Sequence, residues 1–155
     1  MTPPARSPRQ RRVDALRRLE EDVDAWVATA GPAGSPYLVP LSFLWDGRTL
    51  LISTAATNPT ARNLRAVGRV RLTLGTTRDV VLVEGSAEEV EVDAGTGDAF
   101  AARTGFDPRT LRDYPYFRVH PELVQAWREV NEMTGRDLMV GGEWRVRRRD
   151  LGISG

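Results

Sequence analysis

The stretch of sequence that decides the fold lies between residues 36 and 85 and opens PYLVPLSFLWDGRTLLISTAATNPTARNLR (36–65). It contains three or four strand patterns and one short helical pattern. Asp46-Gly47 is a strong signal for a tight turn between two strands. Asn58-Pro59 indicates the start of a helix, with Asn58 as the N-cap and Pro59 at the first helical position. The early connections are therefore hairpins, which predicts antiparallel neighbouring strands.

The rest of the chain extends this pattern in both directions. Apolar residues recur at helical spacing from Val13 to Val23, and residues 94–113 show a second helical pattern that breaks at Gly105 and Pro108. The predicted strands are residues 25–30, 36–45, 49–54, 70–74, 80–92 and 116–127, the last interrupted at Pro121. A parallel sheet would need long helices between most strands. The pattern instead predicts an α+β fold dominated by β structure: an antiparallel split β-barrel with a short helix after the third strand and peripheral helices.

Composition divides the chain into one folded domain with two polar ends. The length of 155 residues fits a single domain. Residues 1–12 are rich in Pro, Ser and Arg, which predicts a disordered basic arm. The predicted domain covers residues 13–146, and residues 147–155 are predicted to form a flexible tail.

Residue usage excludes several kinds of chemistry. All 22 basic residues are arginine, and the chain has no lysine, no cysteine and a single histidine, His120. Schiff-base catalysis, thiol nucleophiles, disulfides and cysteine-based metal sites are therefore excluded, and one chain cannot supply a two-histidine metal site. No metal site is predicted. If the protein is an enzyme, a bound cofactor is expected to supply the reactive group.

Charge is distributed unevenly along the chain. Residues 1–18 hold six arginines and one acid, whereas residues 19–144 carry 12 arginines and 19 acids, a net charge of −7. Arginine-rich ends can contact nucleic acid. They lack interleaved aromatic residues and a recognition-helix pattern, so solvated ends are the favoured interpretation. Nucleic acid is not an expected partner.

The sequence contains neither a membrane-spanning pattern nor a secretory signal. No apolar run approaches the ~20 residues that cross a bilayer. The arginine-rich first 12 residues are not followed by the apolar segment of a signal peptide. The expectation is a cytoplasmic protein without a membrane partner.

Polar side chains cluster where the third strand ends and the short helix begins; they are Ser53, Thr54, Asn58, Thr60, Arg62 and Asn63. A helix N-terminus offers unpaired N–H groups and a partial positive charge, and hydroxyl groups add donors. Arginine supplies a planar fork that matches phosphate oxygens. These residues are therefore candidates for a phosphate site. The alternative is an ordinary capped helix with a solvent-facing arginine.

A second candidate is the strand segment Val39-Pro40-Leu41-Ser42-Phe43. Alternation places Val39, Leu41 and Phe43 on one face, with Pro40 and Ser42 on the other. Proline donates no hydrogen bond to a strand partner, so Pro40 predicts an edge or bulge where the backbone is free to meet a planar ring. The alternative is an edge strand with a packing role.

Three further positions each allow two interpretations. Trp127, near the end of the last long strand, can wall a ligand pocket, although tryptophan is more often a core residue. His120 precedes Pro121 and is either a general base or a surface residue. Glu84-Gly85 marks either a bulge with close backbone packing or a plain interruption of the strand.

Together these features resemble the pyridoxamine 5'-phosphate oxidase-like family, the flavin-binding split β-barrels. The resemblance covers roughly residues 15–146. It is carried, in chain order, by VAT (27–29), VPLSF (39–43), WDG (45–47), ST (53–54), ARNL (61–64), RVRL (69–72), VEGSA (83–87), VQAWRE (124–129) and GEW (142–144). The order and spacing of these motifs make the match specific.

The resemblance implies a homodimer with two cofactor sites at the subunit interface, each built from both chains. The segment Val39–Ser42 would lie along a flavin ring, while Ser53, Thr54 and Thr60–Asn63 would meet the phosphate. Trp127 would wall the pocket from the partner chain. Members of the family carry FMN or the deazaflavin coenzyme, and some bind haem or have lost cofactor binding.

Two departures from the family pattern bear on function. Many members place a lysine one turn into the phosphate-binding segment, where this chain has Thr60, and Arg62 would have to turn inward to replace it. Authentic pyridoxamine phosphate oxidases end in an Arg-x-His segment that is missing from EWRVR (143–147). Oxidation of pyridoxamine phosphate itself is therefore not expected.

The resemblance thus implies a flavin-dependent oxidoreductase that transfers hydride between FMN, or alternatively deazaflavin coenzyme, and an unidentified small molecule. The net charge of −7 in residues 19–144 favours FMN, because deazaflavin coenzyme carries an acidic tail. The alternative is a non-catalytic dimer that binds flavin or haem, with His120 as the one histidine available to haem iron. DNA binding through the arginine-rich ends ranks third.

Overall fold

The computed structural model describes residues 1–145. In this part of the chain the α-helices are Pro8–Glu21 (α1), Pro59–Ala66 (α2) and Ala94–Thr104 (α3), with short 3₁₀ turns at Pro108–Thr110 and Val130–Glu132. The strands are Asp24–Ala30 (β1), Pro36–Trp45 (β2), Leu50–Ser53 (β3), Arg69–Thr76 (β4), Asp79–Val90 (β5), Tyr116–Trp127 (β6), Asp137–Val140 (β7) and Glu143–Trp144 (β8).

Six of the strands close into an antiparallel barrel. They are hydrogen-bonded in the order β3-β2-β1-β4-β5-β6, and β3 also pairs with β6, from Leu50 opposite Val119 to Ser53 opposite Tyr116. The second half of β6 pairs instead with β7, to which β8 is joined. The short strands β7 and β8 thus add to the six that were predicted. The fold is a mainly β, split antiparallel barrel with a helix after the third strand, as the sequence predicted.

Alternation along the strands separates a buried face from an outer face. Val27, Phe43, Leu72, Val83 and Val119 belong to the inner face and are completely buried, as the period of two in a strand requires. Burial of each such side chain contributes about 1.5–3 kcal/mol to stability. Because the interior is a packed core, binding surfaces are to be sought at the ends and on the outer faces of the barrel.

Two helices cover opposite ends of the barrel. α1 buries Ala15 and Leu19 and contacts β2, β4, β6 and β7. α2 buries Ala61 and Leu64 and contacts β1, β2, β4 and β5. β4 begins directly after α2, whereas Gly75 near its other end lies close to the Arg18 guanidinium of α1. The two helices therefore lie at opposite ends of this strand.

Of the two interpretations left open for Glu84-Gly85, the structure shows the bulge with close backbone packing. The β5–β6 register shifts there, from Glu84 opposite Leu123 to Gly85 opposite Pro121. A Cβ on Gly85 would lie 2.1 Å from the carbonyl oxygen of His120, so only glycine permits this approach of the two backbones. The interruption predicted at Pro121 is an irregularity and not a break: β6 runs through it, but Glu122 is skipped in the register with β5. The bulge accommodates a proline that cannot donate to the neighbouring strand.

The N-terminal segment differs most from the expectation. Residues 8–12 were predicted to be disordered, but they form the first part of α1. The Ser7 hydroxyl caps the helix by accepting a hydrogen bond from the Gln10 N–H at 3.1 Å, and Pro8 occupies the first turn. A serine followed by proline is a favourable helix start. Ser7 and Pro8 were thus a helix-start signal within a segment whose polar composition predicted disorder.

Buried arginines hold this segment against the rest of the domain. Arg11 is 5% exposed, and its Nη1 donates to the Glu132 carbonyl oxygen at 2.7 Å. The Arg12 guanidinium lies 4.6 Å from the centroid of the Trp144 ring. Arginine stems bury apolar surface while the charged heads keep polar or aromatic partners. This is how an arginine-rich segment packs instead of remaining an arm.

Some predicted boundaries shift. The third strand is Leu50–Ser53 rather than residues 49–54, so Thr54 lies in the connection to α2. The predicted tail, residues 147–155, lies outside the described residues. None of the helices in residues 1–145 is long and apolar enough to span a membrane.

Candidate functional site

Among the strands of residues 1–145, none pairs with the second edge of β2 along its first part, and this is called the free edge of β2. Its pairing with β1 runs from Pro36 to Ser42, whereas its pairing with β3 begins only at Phe43. The Phe43 N–H donates to the Val23 carbonyl oxygen at 2.9 Å, on the β1 side. Backbone groups point alternately to the two sides of a strand, so those of Pro40 and Ser42 point to the free edge. The edge position predicted for Pro40 is confirmed.

Side chains along this edge divide between the two faces of β2 as predicted. Val39 and Leu41 are half-buried on the inner face, and Pro40 is exposed on the outer face. Ser42 is half-buried, and its hydroxyl donates to the Asp24 carboxylate at 2.5 Å. The serine side chain is thus engaged within the sheet. What this segment offers to a ligand is its backbone.

The start of α2, which contacts both β1 and β2, has no side-chain cap. Asn58 occupies the N-cap position and Pro59 follows it, as predicted, but the Asn58 side chain makes no capping hydrogen bond. Its Nδ2 instead donates to Thr54 Oγ1 at 2.9 Å. The N–H groups of Thr60 and Ala61 in the first turn therefore have no intrahelical acceptor.

Two of the predicted phosphate ligands have no partner in the described part of the chain. Thr60 is 1% exposed, and its hydroxyl oxygen is buried without a hydrogen bond. Arg62 is exposed and makes neither an ion pair nor a side-chain hydrogen bond within residues 1–145. Nearly all buried polar groups in native proteins are satisfied. Within residues 1–145 the Thr60 hydroxyl is thus an exception to this rule.

Two other predicted ligands are already engaged. The Ser53 hydroxyl donates to the Pro115 carbonyl oxygen at 2.8 Å and ties β3 to the loop before β6. The Asn63 Nδ2 donates to Thr29 Oγ1 at 3.1 Å and ties α2 to β1. A Cβ on Gly31 would lie 3.0 Å from Asn63 Oδ1, so the chain after β1 also lies close to this amide. The structure therefore assigns these two residues positional roles.

The sequence analysis missed a loop that borders the start of α2. Asp113 has a φ of 58°, which is uncommon for a residue other than glycine. Its carbonyl oxygen accepts a hydrogen bond from the Ala56 N–H at 2.8 Å, and the side chain of the neighbouring Arg112 is 96% exposed. This contact joins residues far apart in the chain. No local pattern in the sequence could reveal it.

Tyr116 is the titratable residue buried nearest to the end of β3. It lies opposite Ser53 in the β3–β6 pairing, and its hydroxyl is buried without a partner in the described residues. Burial raises the pKa of the Tyr116 phenol above its ordinary value. Its ring packs edge-on against Phe100 of α3, with centroids 5.5 Å apart. Covered by α3, it is a packing residue.

Trp127 lies away from the β2 edge within one chain. It is half-buried opposite Val80, at the far end of β6 from residues 116–119, which pair with β3, the strand beside β2. The outer face of β6 is nevertheless continuous with the outer face of β1 and β2 through β4 and β5. A single chain thus does not bring Trp127 to the other candidate residues.

The remaining candidate, His120, lies on β6 and belongs neither to the edge of β2 nor to the start of α2. It is exposed, and its Nε2 is 3.0 Å from the Glu88 carboxylate. Within residues 1–145 there is no group of three or more histidine, cysteine or acidic residues that could hold a metal ion. The candidate site therefore consists of the β2 edge, Thr54 and the first turn of α2.

Three comparisons relate the chain to known proteins. A family model described as pyridoxamine 5'-phosphate oxidase matches residues 14–128. A comparison with curated proteins found no match.

Solved structures of low sequence identity share the fold. A FAD-binding protein of Mesorhizobium loti is 21% identical, with a TM-score of 0.61, and the match covers 74% of this chain and 90% of that one. An F420 reductase is 22% identical, with a TM-score of 0.57 and coverage of 70% and 93%. The haem storage protein HutZ of Vibrio cholerae is 20% identical, with a TM-score of 0.58 and coverage of 72% and 90%. Since the family model spans most of the chain, this protein belongs to the pyridoxamine 5'-phosphate oxidase family.

Proposed function

We propose that this protein is an oxidoreductase that uses a flavin-type cofactor, FMN first and deazaflavin coenzyme as the alternative, to transfer hydride to or from a small molecule. The observation that carries the proposal is the uncapped start of α2 together with the free edge of β2. The first offers donors to a phosphate, and the second offers backbone to a planar ring. Pyridoxamine phosphate itself is not the proposed substrate, because the Arg-x-His segment is missing from the sequence.

The residues at the start of α2 fit a phosphate dianion. The N–H groups of Thr60 and Ala61 lie at the positive end of the helix dipole. Thr54 Oγ1 accepts from Asn58, so its own hydroxyl hydrogen is available to donate. Arg62 can add a bidentate positive charge. This donor set supports phosphate binding without the lysine that many family members have in place of Thr60.

When bound, the cofactor ring would supply the hydride-transfer chemistry. The chain would bind and orient it: the backbone of Pro40 and Ser42 at the free edge would meet the polar rim of the ring, while Val39 and Leu41 anchor the strand in the core. The residues proposed to contact the cofactor carry no carboxylate or imidazole. Their role is therefore positioning and exclusion of water rather than proton transfer.

A second copy of this chain is the proposed partner. The outer face of β1 and β2 exposes 52% of Trp26 and 59% of Leu38. Trp26 lies beside Pro40 in the β1–β2 register, so this apolar surface adjoins the edge proposed to hold the ring. Large exposed apolar side chains grouped on a sheet face are typical of an interface. Pairing of these faces would cover them and bring Trp127 of the second copy toward the cofactor.

The engagement of the N-terminal arginines favours FMN over deazaflavin coenzyme. An acidic cofactor tail needs free basic groups near the site. Arg6 and Arg11 instead bind Glu132 and its carbonyl oxygen, on the α1 side of the barrel. They are therefore not available to hold such a tail.

Binding measurements test the proposal. The purified protein is titrated with FMN and, separately, with deazaflavin coenzyme, and wild type is compared with Arg62→Gln and Arg48→Gln. Arg62→Gln should weaken FMN binding about 10-fold or more, since a hydrogen bond to a charged group contributes about 1.5–3 kcal/mol. Arg48 is also exposed and unpaired within residues 1–145 but lies at the other end of the barrel, so Arg48→Gln should leave the affinity unchanged.

Each other outcome has a definite meaning. If the two substitutions changed FMN affinity equally, the assignment of Arg62 to the phosphate would be contradicted. If deazaflavin coenzyme bound more tightly than FMN, it would become the proposed cofactor. Hydride transfer is tested separately, by whether an acceptor reoxidises the protein-bound reduced cofactor faster than the free reduced cofactor. Binding without any such acceleration would contradict the enzyme assignment.

The alternative function is a non-catalytic dimer, and Thr60 in place of a lysine is the observation that favours it. Failure of both FMN and deazaflavin coenzyme to bind would make it the leading hypothesis. A haem-binding form ligated by histidine depends on His120, which already contacts Glu88. Haem binding that survives His120→Ala would exclude that form.

A further inference from the structure

A cavity of about 840 Å³ lies at the α1 end of the barrel, away from α2. One wall is α1, a second is the turn between β2 and β3, and a third is the turn between β7 and β8. This volume is in the usual range for small-molecule sites. Trp45, at the last position of β2, borders the cavity, whereas the free edge proposed for the cofactor is the first part of the same strand.

Two tryptophans give the cavity apolar walls. Trp45 of β2 and Trp144 of β8 both line the cavity, and both are partly buried against the hydrophobic core. The indole Nε1 of Trp45 is buried and has no acceptor in the described residues. A buried N–H without an acceptor costs free energy. An acceptor atom on a bound molecule would remove that cost.

Guanidinium groups line the same cavity. Arg48 is exposed and makes no ion pair or side-chain hydrogen bond within residues 1–145. Arg118 uses Nη1 to contact the Asp46 carboxylate at 3.0 Å and the Thr49 hydroxyl at 2.9 Å. The charge of Asp46 is thus balanced by Arg118, and its carboxylate also accepts hydrogen bonds from the backbone N–H groups of Arg48 and Thr49. Arg48 is thus a cation at the cavity that makes no ion pair within residues 1–145, and Glu20 is the second carboxylate of the lining beside Asp46.

We infer that this cavity binds a small planar aromatic anion, an aromatic ring system bearing one carboxylate or sulfonate group. The indole rings of Trp45 and Trp144 would sandwich or flank the ring, and the Trp45 N–H and the Arg48 guanidinium would donate to the anionic group. The site is separate from the one proposed for the cofactor.

Calorimetric titration of the full chain with 2-naphthoate tests this site. Acetate serves as the anion without a ring, and 2-naphthylmethanol as the ring without a charge. We expect 2-naphthoate to bind one molecule per chain, about 10-fold or more tighter than either analogue. Arg48→Gln and Trp45→Phe should each weaken binding about 5-fold or more, because each removes one hydrogen-bond donor to an anion.

Matched variants separate this site from general effects. Arg62→Gln removes an equally exposed and unpaired arginine from the other end of the barrel and should leave 2-naphthoate affinity unchanged. Trp45→Phe keeps an aromatic ring in the core contact, and its thermal midpoint reports whether the fold is intact. If it is not, Arg48→Gln carries the test alone, since that side chain is exposed.

Besides a failure of the wild type to bind, four results would overturn the inference. The first is an affinity for 2-naphthylmethanol equal to that for 2-naphthoate, and the second is an equal loss of 2-naphthoate affinity in Arg62→Gln and Arg48→Gln. The third is displacement of 2-naphthoate by FMN, and the fourth is binding of 2-naphthoate only after the chain is truncated after Arg145. The third would assign the cavity to the cofactor, and the fourth would make the C-terminal segment its occupant.

Discussion

Arg6 and Glu132 form a buried ion pair between residues 126 positions apart. Arg6 Nη2 donates to Glu132 Oε2 at 2.7 Å, and the Arg6 Nε and backbone N–H both donate to Oε1, at 3.0 and 2.9 Å. The two side chains are 9% and 3% exposed. The pair therefore fastens the segment before α1 to the turn after β6, and it makes the N-terminus part of the domain.

Glu132→Gln should destabilise the protein by about 1.5–3 kcal/mol, because the buried Arg6 loses its charged hydrogen bonds to Glu132 and keeps only Asp14 as a carboxylate partner. Urea denaturation at neutral pH measures the change in the free energy of unfolding. Glu129→Gln is the matched control, since Glu129 pairs with Arg78 at an exposed position and such pairs contribute about 0–1 kcal/mol. Equal losses in the two variants would show that the pair does not hold the segment.

The same pair predicts an acid dependence. Hydrogen bonds from Arg6 lower the pKa of Glu132 from its ordinary 4.5 to about 2. A lowered pKa in the folded state means that the pair stabilises the protein fully above pH 4.5, and that this stabilisation is lost as the pH falls toward about 2. The stability difference between wild type and Glu132→Gln should therefore shrink on acidification through this window. A difference that grows there would contradict the assignment.

Thr60→Val should stabilise the cofactor-free protein by about 1 kcal/mol, because it replaces a buried hydroxyl without a partner by a methyl group of similar shape. The same change should weaken FMN binding if the hydroxyl is a phosphate ligand. Thr29→Val is the control: Thr29 is also buried, but it accepts from Asn63, so its loss should destabilise. Urea denaturation and FMN titration of both variants distinguish these effects. Destabilisation by Thr60→Val would show that its hydroxyl is satisfied.

Trp26→Asp should dissociate the proposed dimer, because it places a charge at the centre of the apolar sheet face. Tryptophans at such positions commonly contribute about 2–4 kcal/mol to association. Sedimentation velocity measures the oligomeric state of wild type and variant. Val130→Asp is the control, since Val130 is 83% exposed but lies in a 3₁₀ turn away from this face. A wild-type monomer, or a dimer that survives Trp26→Asp, would place the interface elsewhere or remove it.

Gly85→Ala should cost about 1–3 kcal/mol or more, because its Cβ would meet the backbone oxygen of His120 at 2.1 Å and a backbone atom cannot move aside cheaply. Gly95→Ala, in the first turn of α3, should be neutral or stabilising, since its Cβ would meet only Asp93 Oδ1 at 3.6 Å and alanine favours a helix. Thermal unfolding of both variants compares them. Similar midpoints would mean that the bulge can relax around a methyl group.

Much of the fold was predictable because period-two patterns and turn signals are local. The bounds of β2 and β6 were predicted to the residue, and Pro40 correctly indicated a strand edge. The start of α1 was missed because an arginine-rich segment has the composition of a disordered arm. Its arginines are satisfied only by groups such as Glu132, more than a hundred residues away.

The candidate site was predictable as a cluster but not as a set of contacts. The residues around Thr54 and Asn58 were correctly placed at a strand end and a helix start. Which of them are free for a ligand depends on hydrogen bonds that no local pattern encodes, such as the one from Ser53 to Pro115. The Asp113 loop and the cavity beside Trp45 are likewise assembled from segments distant in the chain.

The sequence by itself determined the succession of six strands along the chain and the helix after the third strand. It also excluded chemistry that needs a thiol or a lysine amine. These follow from side-chain type and local periodicity, which each segment carries alone. Only the tertiary structure decided that Thr60 and Arg62 have no side-chain partner within residues 1–145, whereas Ser53 and Asn63 are engaged. Satisfaction of a polar group depends on what the folded chain brings within hydrogen-bond distance, and that is a property of the whole barrel.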